Sequence, residues 1–210
     1  MNKLTSLLAG ITILGSAIGQ AHAGIIFSFS QSGGNVVMQS SGVLNTASLV
    51  SVSPAGWGGV GVETNNPAES DIMGDTSMGG VDLAFGFQAG TDLSPWVGNM
   101  FTNSNFGWSS SGTTQFTTYY RSNSGRTPGI GISSGDLVGA LWTPDVSWTK
   151  IGTFATLGLT AGTYTITDAV TNEFISIQIG AANRVPEPAS IALMGLGLAG
   201  LAFARKRKST

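Results

Sequence analysis

Two runs decide the fold class: Gly162-Thr163-Tyr164-Thr165-Ile166-Thr167 and, after a short connection, Phe174-Ile175-Ser176-Ile177-Gln178-Ile179. In the second, the odd-numbered isoleucines fall on one side and Ser176 and Gln178 on the other. That two-residue period belongs to a strand with one face buried. The first is built from Thr, Tyr and Ile, residues that suit a pleated surface. Asp168–Asn172 between them reads as a hairpin turn, and Thr160-Ala161-Gly162 as the turn before the pair. Outward from this hairpin the same texture recurs. Ile151–Leu157 reads as the preceding strand, and Thr113–Arg121 is rich in Thr and Tyr. Val81–Gln88 places Leu83, Phe85 and Phe87 on one face. Ile25–Ser30, Val36–Ser40 and Val43–Val52 open the chain, the last two separated by Ser41-Gly42. No helical period of useful length occurs between residues 24 and 183, so the expectation is an all-β domain, an antiparallel β-sandwich or jelly roll. The 31 glycines point to long, mobile loops, notably Pro54–Gly80 and Asn99–Gly112.

The two ends are of different character. Residues 1–23 read as a signal helix: Lys3 supplies the positive start, Leu4–Ile18 the apolar run, and Ala21-His22-Ala23 a small-x-small cleavage site for signal peptidase, with Ala21 and Ala23 the recognised residues. The mature chain then begins at Gly24, and an ectodomain spans residues 24–183. Residues 184–210 form a tail in three parts. Val185-Pro186-Glu187-Pro188 is stiff and extended, because each proline fixes its own φ and disfavours helix in the residue before it. Ala189–Ala204 has sixteen residues without a charge. As one transmembrane helix it spans about 24 Å against a hydrocarbon core of about 30 Å, so local thinning or snorkelling is needed. Arg205-Lys206-Arg207-Lys208 then holds the cytoplasmic side. Drawing four cations outward across 100 mV costs about 9 kcal/mol.

The order of box, Gly/Ala/Leu-rich span and basic end in Val185–Lys208 resembles the PEP-CTERM sorting signal of Gram-negative bacteria. The resemblance covers the last eighth of the chain. It implies cleavage near the Pro-Glu-Pro box by an exosortase-type enzyme and a transient stay in the inner membrane. It further implies release to the outer surface or the extracellular space in bacteria that make exopolysaccharide. A softer resemblance links Gly158–Thr165 and Ser41–Asn45 to strands of other proteins with such tails, and brings no activity with it.

The chemistry of the ectodomain is defined largely by what is missing. Removal of residues 1–23 takes away His22, the one histidine, and the chain has no cysteine. That excludes imidazole and thiolate metal sites, Ser-His-Asp triads, cysteine nucleophiles and disulfides. From Gly24 to Arg184 there are ten acids against four bases, a net charge of −6. Such a surface disfavours nucleic acid and anionic lipid, and suits a neutral polymer such as an extracellular polysaccharide. Three motif matches fail on context. Gly56-x-Gly58-x-x-Gly61 lacks the helix a phosphate cradle needs. Gly131-x-Ser133-x-Gly135 lacks a histidine base, and Ser147-x-x-Lys150 lacks its companion elements.

Two candidate sites remain. Glu63, Glu69, Asp71, Asp75 and Asp82 crowd one glycine-bearing region, and Glu69, Asp71 and Asp75 are the candidates for a calcium ion. Paired carboxylates also leave room for a glycoside hydrolase. Among the aromatics, Trp57 and Trp108 lie in loop-like, glycine-flanked sequence and are the candidate glycan contacts, since exposed rings stack on sugar faces. The expectation is a non-enzymatic, exported structural or adhesive protein of the surface or biofilm matrix, without a cofactor. A carbohydrate-binding module is the alternative.

Overall fold

The computed structural model describes residues 24–54, 56–64, 70–98, 100–120 and 128–180. The signal helix, Ala21, Ala23, Glu69 and the whole sorting tail, with its transmembrane helix, lie outside the described residues. Among the described residues no helix is long and apolar enough to cross a membrane.

The described residues carry, in chain order, β1 (Gly24–Ser32), β2 (Asn35–Asn45), β3 (Val50–Val52), β4 (Val60–Val62), β5 (Ser70–Asp75), β6 (Leu83–Gly86) and β7 (Asn105–Phe106). There follow β8 (Ser109–Gly112), β9 (Phe116–Tyr120), β10 (Gly129–Ile132), β11 (Leu137–Val138), β12 (Leu141–Trp142), β13 (Val146–Ile151), β14 (Gly162–Thr167) and β15 (Phe174–Ile179). Three single-turn 3-10 segments complete the set. The architecture is all-β, as expected, in two sheets. One runs β11-β12-β2-β1-β15-β14, with β13 also on β2 and β8 on β13; the other runs β3-β6-β10-β9-β5-β4-β7.

Several sequence expectations need correction. The sandwich is not purely antiparallel, because β1 and β15 pair in parallel, Gly24 beside Phe174 through Phe29 beside Ile179. This joins the two ends of the domain at the middle of the larger sheet. Ser41-Gly42 does not break a strand either. The backbone of β2 passes through it, with Gly42 at φ +98° against the carbonyl of Gly24, where a side chain has no room. The expected strand Ile151–Leu157 is a turn, closed by Leu157 N–H donating to Thr153 O and Leu159 N–H to Phe154 O. The strand lies just before it, in β13, where Val146 and Trp148 alternate inward. The two expected loops hold β4, β5, β7 and β8.

The core is aromatic and spans the two sheets. Phe27 of β1 stacks on Phe116 of β9 at 4.6 Å, and Phe116 stacks in turn on Trp148 of β13 at 5.7 Å. Trp148 meets Trp108 at 6.0 Å, and Trp108 meets Phe29 edge-on at 5.9 Å. Such offset and edge contacts add about 0.5–1.5 kcal/mol per pair beyond simple burial.

Candidate functional site

Two carboxylates inside the domain tie one sheet to the other. Asp75 ends β5 on the core side and is 1 % exposed. Its Oδ1 accepts from Ser77 N–H at 3.0 Å and Ser77 Oγ at 2.7 Å. Its Oδ2 accepts from Trp148 Nε1 at 2.8 Å and from Ser110 Oγ, both in the opposite sheet. Four donors thus satisfy both oxygens of the buried carboxyl group. At the β14–β15 hairpin, Asp168 is fully buried. Its Oδ2 accepts from Gln88 N–H of the other sheet's connection at 2.6 Å, and its Oδ1 from Val170 N–H, Thr171 N–H and Thr171 Oγ1. Burial pushes this carboxyl up, but the amides of Gln88, Thr171 and Val170 and the Thr171 hydroxyl outweigh it and hold it below the ordinary aspartate value. Asp82, at the surface, is also lowered, by the hydroxyl and amide of Ser134.

Asp71 and Asp75 therefore belong to a strand rather than to a flexible acidic loop. Asp75 faces the core, while Asp71 pairs with Tyr119 across β9, beyond a bulge. Among the described residues no group of three His, Cys, Asp or Glu side chains is placed to hold a metal ion.

The two tryptophans part company. Trp108, expected at the surface, is 4 % exposed and donates from Nε1 to Asn105 O at 3.0 Å. Gly107, at φ +71°, reverses the chain so that the indole enters the core beside Phe29 and Trp148. Trp57 is half-buried. Its ring lies flat over Gly74, where a Cβ would stand 2.8 Å from the indole, and packs at 5.5 Å against Phe106, itself 42 % exposed. Beside Phe106, Lys150 Nζ donates to the Phe106 carbonyl. Gly107, Ser109, Thr149, Lys150 and Ile151 line an open depression of about 320 Å³. Ser147 and Lys150 of the acylase-like match sit on opposite faces of β13 and do not meet.

Sequence reasoning missed the inter-sheet role of Asp75, Ser110 and Trp148. No local signal marks it: at a strict two-residue period Asp71, Met73 and Asp75 share a face, and the bulge between Asp71 and Met73 that sets their facing is not written in the pattern. No curated protein and no solved structure matches the chain. One family model matches, that of the PEP-CTERM protein-sorting motif, over residues 184–208. The match takes in the Val-Pro-Glu-Pro box, the apolar run and the basic end. The chain carries a PEP-CTERM protein-sorting motif at its C-terminus, the mark of an exported protein sorted by an exosortase-type enzyme.

Proposed function

We propose that this is a non-enzymatic structural or adhesive protein, delivered to the outer surface or the extracellular polymer. The observation that carries the reading is the sorting motif at residues 184–208 behind a β-domain that has neither histidine nor cysteine from Gly24 onward. The inward carboxylates support it, since Asp75 and Asp168 serve as ties between sheets rather than as free acids or bases. The test is fractionation of the producing cells. The protein is expected in the washed extracellular polymer, and deletion of residues 184–208 should leave it soluble in the periplasm. Equal recovery from the polymer with and without the tail contradicts the reading.

A second reading, a module that grips one defined glycan through aromatics, is favoured by the rim where Trp57 meets the exposed Phe106. It predicts that Trp57→Ala abolishes saturable binding to that glycan while the circular dichroism is kept.

A further inference from the structure

The strand register of the larger sheet builds a feature that no single strand shows. Ser111 of β8 lies beside Ser147 of β13, and Ser147 beside Gln39 of β2. Gln39 lies beside Ser28 of β1, Ser28 beside Gln178 of β15, and Gln178 beside Thr163 of β14. All six lie on the face opposite Phe27, Met38, Trp148 and Ile177, which are buried in the core; Ser28 is itself buried between its strand neighbours, and Ser147 and Gln178 are half-buried. The result is a lateral row of hydroxyls and amides in register across six strands, with the small Ser28 recessed at its middle. At about 4.8 Å per strand it is about 24 Å long. Ser111, Gln39 and Thr163, at the two ends and in the middle, are exposed.

The one charged residue on these six strands is Lys150, near the end of β13 and on the opposite face from Ser147; the row's own face carries no Asp, Glu, Lys or Arg. That is unusual for the wet face of a sandwich, where charges keep sheets soluble and apart. None of the ten acids between Gly24 and Arg184 falls within these strands. An uncharged, hydroxylated partner meets no opposing charge here and no ionic group to desolvate, while an anionic polymer is repelled by the domain as a whole.

The geometry points to this row as a docking track for a neutral polysaccharide chain. The inference rests on the matrix reading and gives it a site and a partner class. Each hydroxyl or amide contact is weak, and a repeating polymer multiplies it through effective concentration. Sheet twist narrows the partner further. At roughly 20° per strand, five steps turn the row by about 100°. A single flexible chain can follow that turn, and a flat crystalline surface cannot.

The test is affinity electrophoresis of the full chain in gels containing hydroxyethylcellulose, dextran or galactomannan, with alginate as the anionic comparison. Retardation is expected with at least one neutral polymer and not with alginate. Gln39→Glu/Gln178→Glu places two near-isosteric charges in the middle of the row and should weaken retardation at least tenfold. Met78→Glu, at an exposed position outside this sheet, adds charge and should change nothing. Should the double variant fold poorly by circular dichroism, Ser111→Glu/Thr163→Glu at the exposed ends of the row replaces it, with the same expectation. Three results overturn the proposal: no retardation by any neutral polymer, equal retardation of wild type and row variants, or stronger retardation by alginate. A dimer that these charges dissociate also overturns it, because the row would then belong to a second copy. None of these outcomes moves the protein out of the washed polymer fraction, so the matrix reading stands or falls separately.

Discussion

The two sheets use their outer faces differently. In the larger one, β1 and β2 run nine and eleven residues, with Phe27, Phe29, Val36, Met38 and Leu44 buried and Ser30, Gln39 and Ser41 exposed. In the smaller one no strand exceeds six residues, β5 carries a bulge, and outward positions are often glycine. Gly74 is roofed by Trp57, and a Cβ on Gly131 would stand 2.9 Å from Thr117. One sheet shows a regular polar surface to the outside; the other is a floor on which other parts of the chain rest. Length and exposed polar side chains make the first a display surface, and close approach makes the second a support.

The largest test of this contrast lies where the sheets meet. Phe116 is stacked between Phe27 and Trp148, so Phe116→Ala should cost about 3–5 kcal/mol in chemical denaturation. A loss below 1 kcal/mol would mean that the sheets do not depend on this contact. Next comes Asp75→Ala, which strands Trp148 Nε1 and Ser110 Oγ in the core and should cost about 1–3 kcal/mol. Asp75→Ala combined with Trp148→Phe should then cost less than the sum of the two singles.

On the supporting sheet, Gly74→Ala drives a methyl into the Trp57 ring and should cost about 1–3 kcal/mol. In a Trp57→Ala background the same change should cost almost nothing, and an undiminished cost there would show that Trp57 does not rest on this floor.

The smallest effect is in pH. The Asp168 carboxyl has a lowered pKa in the folded state. Its stabilisation is therefore complete above the unfolded value of about 3.9 and fades as pH falls through the lower folded value. Asp168→Asn should flatten this acid limb of the stability curve, and an unchanged acid limb would assign it to other groups.

The larger sheet was also the more legible in sequence. The β14–β15 hairpin was readable because its isoleucines repeat every second residue and its turn is local. The parallel pairing of β15 with β1 was not, because it joins residues about 150 apart and no local pattern encodes which strand an edge will meet. The uncharged row escaped for the same reason: each strand contributes one residue, and only the register lines them up. In the smaller sheet, glycines and acids imitate loop composition, so β4 and β5 carry the signature of a loop. Trp108 was misplaced because a Gly-Trp-Ser-Ser context looks exposed, whereas the glycine before it serves to turn the ring inward. The sorting motif is legible because its box, apolar run and basic end are contiguous in sequence.

Intact mass of the protein recovered from separated cytosolic, membrane and surface fractions tests the central claim, that an exported β-domain is delivered by its tail. The account predicts a surface species that begins at Gly24 and ends near Pro186-Glu187-Pro188. A species running from Met1 to Thr210, dissolved in the cytosol, would contradict it.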